Sequence, residues 1–113
     1  MPILFAYGTL QLADIQLATF GHLLRGEPDE AIGCERVMIT IDDPQVIADT
    51  GRGEHATLRF NGQPQARVAG TVLELTDDEI AEADKYEKLS RYKRTEVKLA
   101  SGRTAWAYVY WPE

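Results

Sequence analysis

Short apolar runs and stretches of alternating apolar and polar residues divide most of this chain into predicted β-strands. Residues 3–7 are apolar and Gly8 follows them, which indicates a buried first strand. Asn61-Gly62 predicts a hairpin turn after an alternating segment, and the tetrapeptide 100–103 separates two strands of a second predicted hairpin. After the first strand, the predicted strands are 33–41, 56–60, 68–75, 95–99 and 104–110.

Two segments have the spacing of apolar residues that is typical of amphipathic helices. The first, 12–24, has a modest apolar stripe, which glycines near its end weaken. The second, 76–86, begins with Thr76 and has Glu79 three residues later, which is the spacing of a capping box. Both segments are therefore predicted to be helices.

The segment after the second predicted strand is rich in turn-forming residues. Pro44 and Gly51 predict that 42–54 is a mobile loop, with a short strand at 46–48 as the alternative. The predicted order of elements is therefore β-α-β-β-β-α-β-β. With two hairpins in that order, we expect an α+β fold whose sheet is mainly antiparallel and curled or closed, with helices packed on it.

Length, charge and cysteine content limit the possible functions. A chain of 113 residues can bury one hydrophobic core, so we expect residues 1–113 to form a single domain. Its net charge of −6 repels phosphate backbones and anionic lipids, which argues against nucleic-acid and membrane partners. Cys34 is the only cysteine, and the N-terminal apolar run is too short for a signal peptide. We therefore expect a cytoplasmic protein with small-molecule ligands.

One carboxylate lies in line with the apolar stripe of the second predicted helix. On a period of 3.6 residues, Glu87 falls below Ile80, two turns earlier, whereas Asp78 and Glu82 face solvent. Burial of a carboxylate disfavours its charged form and raises its pKa, which suits a general acid or base. Glu87 is therefore a candidate catalytic residue. The alternative is that the helix ends by Tyr86 and Glu87 is solvated.

The second candidate site is Tyr7-Gly8-Thr9-Leu10, where the first strand turns toward the first helix. Gly8 permits a positive φ and a close approach of a ligand to the backbone. The amides of Thr9 and Leu10 would then lie near a helix N-terminus, where anions bind. The alternative is an ordinary strand-to-helix turn that needs glycine for its geometry.

The remaining chemistry-bearing residues have no partner at a suitable spacing. His22 and His55 have no ligand-like spacing to each other or to Cys34, so we expect no metal site. Cys34 lies in an apolar predicted strand, and we expect a small core residue rather than a nucleophile. Aromatic residues alternate along 106–110 and share one face, which predicts a packed core or an interface.

Taken in order, several of these segments resemble the motifs of a known family. Tyr7-Gly8-Thr9-Leu10 resembles a YGSL or YGTL loop, and VAGTV at 68–72 resembles a V-x-G-x-V strand. ADKYE at 83–87, with RYKR at 91–94 and then a valine, resembles a D-x-Y/F-E…Y-x-R…V segment, and 105–110 resembles a closing A-x-V-Y strand. On these motifs the chain is identified as a member of the gamma-glutamylcyclotransferase-like superfamily over nearly its whole length.

The resemblance implies a small mixed, mainly antiparallel β-barrel with flanking helices, and a cavity between the YGTL loop and the helix that carries the glutamate. It implies a cofactor-independent cyclotransferase that releases 5-oxoproline from a γ-glutamyl amine or γ-glutamyl amino acid by intramolecular aminolysis. In such enzymes the loop amides hold the glutamyl head group and the glutamate shuttles the proton, roles that correspond to residues 8–10 and Glu87. Tyr7 and Tyr92 match aromatic positions near that site. The segment 42–54 matches no ligand motif of the family, so the leaving group stays open.

Two other functions remain open. One is a catalytically silent small-molecule-binding domain of the same fold, which predicts thermal stabilisation by ligands without formation of 5-oxoproline. The other is a related enzyme that removes a γ-glutamyl protecting group from a biosynthetic intermediate and differs only in the leaving group. A purely structural subunit is the least favoured, because it would not need an acidic residue on the inner stripe of a helix.

Overall fold

The structure, a computed structural model, describes residues 2–51 and 53–111. Those residues form seven strands, three α-helices and a 3-10 turn at Thr9–Gln11. In chain order the strands and α-helices are β1 Ile3–Ala6, α1 Ala13–Phe20, β2 Gly26–Ile32, β3 Cys34–Thr40, α2 Pro44–Thr50, β4 Glu54–Phe60, β5 Arg67–Glu74, α3 Asp77–Lys88, β6 Tyr92–Leu99 and β7 Thr104–Tyr110.

Five of the strands form one sheet and the other two form a separate ribbon. The sheet has the order β1-β5-β2-β6-β7, and β3 and β4 pair only with each other among the described residues. All the ladders are antiparallel except that of β1 and β7, which pair in parallel at Leu4 and Trp106 and so bring the two ends of the sheet together. The predicted α+β class and the mainly antiparallel sheet are confirmed. The two edge strands, β1 and β7, join at a single residue pair.

The hairpin predicted at 95–99 and 104–110 is confirmed, but the one predicted at Asn61-Gly62 is wrong. Strand β4 pairs with β3, from Cys34 opposite Phe60 onward, whereas β5 pairs with β1 and β2. The amides of Asn61 and Gly62 both donate to the Gly33 carbonyl, at 3.0 and 3.2 Å. Gly62 has the positive φ of 67° that such a turn favours, but the turn leads the chain into the other sheet.

Two elements are absent from the sequence prediction. Strand β2 is polar and contains Pro28, yet it pairs with β5 at seven positions along its length. Helix α2 lies where a loop or a short strand was predicted. Pro44 is its first residue, Asp43 caps it by accepting from the Gln45 amide at 2.9 Å, and Gly51 ends it at a φ of 74°. Proline at the start and glycine just past the end are signals of a helix as well as of a loop.

The other two helices begin and end for identifiable reasons. Helix α1 stops at Phe20, short of the predicted 24, because Gly21 takes a left-handed φ of 80°. The capping box predicted for α3 is present, since Thr76 Oγ1 accepts from the Glu79 amide at 3.1 Å and Glu79 accepts from the Thr76 amide at 2.8 Å. The helix continues past the predicted end, to Lys88, which brings Glu87 into its last turn.

Apolar side chains cover both faces of the sheet. Phe5 and Val72 belong to an inner cluster that includes Cys34, which is buried as predicted. Leu4 and Leu73, their neighbours on the opposite face, belong to a second cluster under α3. The aromatic residues along 106–110 pack in this second cluster, which confirms the predicted packing role. None of the helices in residues 2–51 and 53–111 has the length and apolarity that a transmembrane helix needs.

Candidate functional site

A cavity of about 320 Å³ lies where the end of β1, the last turn of α3 and the β3–β4 ribbon meet. Its size is within the range of sites for small molecules. The six residues predicted from the sequence all line it. They are Tyr7, Gly8, Thr9, Leu10, Glu87 and Tyr92. Their presence in one cavity is a structural fact, whereas their roles stay predictions.

The loop between β1 and α1 forms one wall. Gly8 does not use the positive φ that glycine permits, since its φ is −134° and its ψ is −137°. A Cβ atom placed there would meet no other atom within 4 Å, so the backbone faces open space that a ligand can approach. The 3-10 turn makes its first hydrogen bond from the Gln11 amide to the Gly8 carbonyl, at 3.2 Å. The Thr9 and Leu10 amides precede that bond, in the part of the turn where amides have no partner within the helix.

Helix α3 supplies the carboxylate. Ile80 and Ala83 are buried and Glu82 is exposed, as the helical stripe predicts, and Glu87 is partly buried on the cavity side. The alternative in which the helix ends by Tyr86 is therefore wrong. Glu87 also acts electrostatically on its surroundings, because its negative charge contributes to the raised pKa of Tyr7.

Tyr7 is a fixed part of the wall. Its hydroxyl donates to the Tyr108 carbonyl, and its ring stacks on Phe5 with the ring centroids 6.2 Å apart. Burial is the main cause of its raised pKa, and the nearby Tyr92 and Glu87 raise the pKa further. Tyr7 therefore stays protonated at neutral pH and cannot serve as a base.

Tyr92 connects the cavity to the β3–β4 ribbon. Its hydroxyl donates to the Ala56 carbonyl on β4, and its ring lies edge-on to Tyr110 with the centroids 5.9 Å apart. The His55 ring is 6.4 Å from the Tyr92 ring and is buried. Tyr92 thus fixes the position of the ribbon wall relative to the sheet.

Sequence reasoning missed several lining residues, among them Tyr86, Ser90 and His55. The Tyr86 hydroxyl is 3.2 Å from Thr9 Oγ1, so it joins α3 to the loop, and its place beside Glu87 was the available signal. Ser90 is buried in the cavity wall, with its amide bonded to the Glu87 carbonyl at 3.1 Å. His55 was considered only as a metal ligand, and no spacing in the sequence indicates that β4 reaches this cavity.

Charged residues line the cavity from the β3–β4 ribbon as well as from α3. Arg36 is the one Lys or Arg among the described residues that line the cavity, and it comes from β3. Glu54, at the start of β4, lines the cavity as well, so Glu87 is not its only carboxylate. Within residues 2–51 and 53–111, no group of three or more histidine, cysteine or acidic side chains is placed to hold a metal ion.

Comparison with known proteins gives one family. The model of the family described as gamma-glutamyl cyclotransferase, AIG2-like, matches residues 4–113. No curated protein matches the chain in sequence at a significant level.

Several solved structures share the fold at low sequence identity. An uncharacterized human protein is similar with a TM-score of 0.73 and 18% identity over 96% of this chain and 66% of its own. An Arabidopsis thaliana protein gives a TM-score of 0.71 and 16% identity over 96% of this chain and 68% of its own. A protein named gamma-glutamyl cyclotransferase gives a TM-score of 0.67 and 16% identity over 96% of this chain and 66% of its own. The chain thus spans about two thirds of the length of these relatives.

Proposed function

The chain belongs to the gamma-glutamyl cyclotransferase, AIG2-like family, and we propose that it releases 5-oxoproline from a γ-glutamyl amine or γ-glutamyl amino acid. In this proposal Glu87 is the general acid and base, and the reaction is an intramolecular aminolysis that needs no cofactor. The observation that carries the proposal is that Glu87 and the backbone of residues 8–10 line the same cavity.

The proposed reaction closes a five-membered ring. The α-amine of the substrate attacks its own γ-carbonyl carbon, the new C–N bond closes 5-oxoproline, and the bond to the leaving nitrogen breaks. A free α-ammonium has a pKa of about 8, so near neutrality it must lose a proton before it can attack. That first proton is released to solvent. As the amine attacks, Glu87 accepts a second proton from its nitrogen and then donates this proton to the departing nitrogen, which leaves as a neutral amine.

The loop is proposed to hold the glutamyl head group. Amides at the start of a helical turn bind carboxylates well, and the open space at Gly8 lets the α-carboxylate approach the backbone. The contact of 3.2 Å between Thr9 Oγ1 and the Tyr86 hydroxyl ties this loop to the helix that carries Glu87. A fixed separation between the amides and the carboxylate favours the folded, ring-closing shape of a flexible substrate.

The experiment that tests the proposal measures product directly. The protein is incubated with γ-glutamyl amino acids, γ-glutamyl amines and glutathione, and 5-oxoproline is quantified by mass spectrometry. We expect Glu87→Gln to keep the fold and to lose about 10²- to 10⁴-fold in turnover, the usual contribution of general acid–base catalysis. Glu82→Gln is the matched control, because Glu82 is exposed on the same helix and should leave turnover unchanged.

Two results would count against the proposal. Release of 5-oxoproline by Glu87→Gln at the wild-type rate would remove Glu87 from the mechanism. Thermal stabilisation of the wild type by a γ-glutamyl compound, with no 5-oxoproline from any compound of the panel, would favour the catalytically silent binding domain instead.

A further inference from the structure

A second hollow, of about 440 Å³, lies beside the first and shares Tyr92 and Tyr108 with it. We propose that this hollow is a separate binding site for a small ligand that carries a phosphate group. The proposal does not depend on the cyclotransferase activity, because it rests on the charges and the aromatic rings of the second hollow alone.

Positive charge is concentrated at this hollow. Its lining includes the four cationic residues Lys88, Arg91, Lys93 and Arg94, so four of the chain's 12 Lys and Arg residues lie within positions 88–94. Asp84 is the only acidic residue among the described lining residues, so the hollow carries a formal charge of 4 − 1, or +3. Since the whole chain carries −6, this is a local reversal of sign, and such a field attracts anions.

These cations lie in one segment that runs from the end of α3 through a turn into β6. Lys88 and Asp84 are four residues apart on α3 and therefore lie on the same side of the helix. Arg91 lies in the turn between α3 and β6, and Arg94 follows on β6 opposite Tyr108 of β7. The hollow is therefore lined by one exposed basic segment, 88–94, that turns from α3 into β6, together with Tyr108 and Trp111.

Existing ion pairs neutralise only part of this charge. Arg91 Nη2 is 2.6 Å from Asp43 Oδ2, and Arg94 Nε is 2.8 Å from Asp84 Oδ1. A guanidinium has five N–H donors, so each arginine keeps further donors for a ligand. In the described part of the chain, Lys88 and Lys93 have no carboxylate oxygen within 4.0 Å.

The donor set suits phosphate better than a single carboxylate. Two forked guanidinium groups and two ammonium groups supply more donors than one carboxylate accepts, whereas a phosphate dianion has three oxygens that take charge-assisted hydrogen bonds. Trp111, which is 51% exposed, adds a flat apolar surface at the edge of the hollow. A ligand that carries both a phosphate and a planar ring, as a nucleotide does, would therefore find contacts for both parts.

A purely structural role accounts for only some of these residues. Cations in the last turn of a helix interact favourably with its dipole, which explains Lys85 and Lys88. It does not explain Lys93 and Arg94, which lie on β6 and line the same hollow as an exposed indole ring.

The two tryptophans of the chain are built-in reporters of this site. The Arg94 guanidinium carbon is 5.0 Å from the centroid of the Trp106 ring, and the Lys93 ammonium is 5.8 Å from that of Trp111. Each indole gives its own ¹H–¹⁵N NMR signal, which can be followed while inorganic phosphate, pyrophosphate or adenosine monophosphate is added at constant ionic strength. We expect saturable shifts of both signals, with the nucleotide shifting Trp111 more than inorganic phosphate does.

Two double variants distinguish a specific phosphate site from a general effect of the protein's charge. Lys88→Gln/Lys93→Gln should weaken phosphate binding by at least about tenfold, as expected from the loss of two charge-assisted contacts. Lys85→Gln/Lys98→Gln makes the same charge change on α3 and β6 but outside the hollow, and it should bind like the wild type. Equal weakening in both variants, shifts that do not saturate, or equal shifts with chloride would each overturn the proposal. Binding of phosphate without any preference for the nucleotide would restrict the ligand to the phosphate group itself.

Discussion

Arg91 has a backbone conformation that is unusual for its residue type. Its φ is 66°, and among the described residues it is the only non-glycine residue with a positive φ. Its carbonyl accepts from the Trp111 amide at 2.7 Å, and its guanidinium holds Asp43, the residue that caps α2. The side chain therefore joins the end of α3 to the start of α2, at a position where glycine would be the unstrained choice.

This strain predicts an unusual order of stability among variants at position 91. Arg91→Ala loses the ion pair and keeps the left-handed conformation, which disfavours a residue with a Cβ atom by about 1–2 kcal/mol. Arg91→Gly loses the same ion pair but removes that strain, although its unfolded chain is more flexible. We expect Arg91→Gly to be the more stable of the two by about 1 kcal/mol in urea unfolding.

The matched control is Lys88, which lies in ordinary helical backbone at the end of α3. There the order should reverse, with alanine more stable than glycine by up to about 1 kcal/mol. If Arg91→Gly were less stable than Arg91→Ala by as much as at position 88, the left-handed conformation at Arg91 would store no measurable strain.

At the scale of single elements, the start of α3 combines a cap with an ion pair. Glu79 closes the capping box and also receives a hydrogen bond from His22 Nε2, in the segment that follows α1. That hydrogen bond is the main cause of the raised pKa of His22, which ordinarily lies near 6.5. The pKa of Glu79 is lowered, mainly by the hydrogen bond from the Thr76 amide and also by the bond from His22.

The pair predicts a defined pH dependence. Because the pKa of His22 is higher in the folded state, its contribution to stability is fully present below about pH 6.5 and is lost as the pH rises through the folded pKa. Glu79→Gln keeps an acceptor for the Thr76 amide but removes the charge, so we expect the pKa of His22 to fall toward its ordinary value. The check is an NMR titration of the His22 ring protons in the wild type and in Glu79→Gln. An unchanged His22 titration in Glu79→Gln would show that the carboxylate does not hold the imidazolium.

The elements that the sequence predicts well are those whose signals are local. The capping box and the stripe of α3 lie within one helix, and so they placed Glu87 on its inner side. The signals of α2, Pro44 and Gly51, are local too. Proline and glycine are common in loops as well as at helix ends, however, so these two residues do not distinguish a helix from a loop. Strand β2 has no such signal, because its polar residues become a strand only through pairing with β5.

At the scale of the whole molecule, the site too is predicted only where its residues belong to local sequence patterns. The loop and the helix that form two walls of the cavity carry recognisable local patterns. The third wall comes from β4, and the sequence assigned β4 to a hairpin with β5 rather than to the ribbon with β3. For that reason His55 was not predicted to line the cavity, although residues 7–10 of the loop were.

The position of the loop depends on how closely β5 approaches β1, and Gly70 is the residue that permits this approach. A Cβ atom at Gly70 would lie 2.5 Å from the Ala6 carbonyl oxygen and 2.7 Å from the Phe5 ring. Ala6 is the last residue of β1 and directly precedes Tyr7, so a displacement there moves the start of the cavity wall. A substitution at Gly70 should therefore affect both the stability of the fold and the geometry of the site.

We expect Gly70→Ala to destabilise the protein by about 1–3 kcal/mol, the usual effect of extra volume in a packed core. The comparison is Gly26→Ala, where the new Cβ atom would meet the Thr71 methyl at 2.7 Å and the Leu73 side chain at 3.0 Å, both of which are side-chain atoms that can move. Gly26→Ala should therefore be the milder change, because at Gly70 the nearest atom is a backbone oxygen held in the β1–β5 ladder. Urea unfolding of the two variants measures the difference. If Gly70→Ala were as stable as Gly26→Ala, β1 would be free to shift, and the close approach of β1 and β5 could not be what fixes the loop at the cavity.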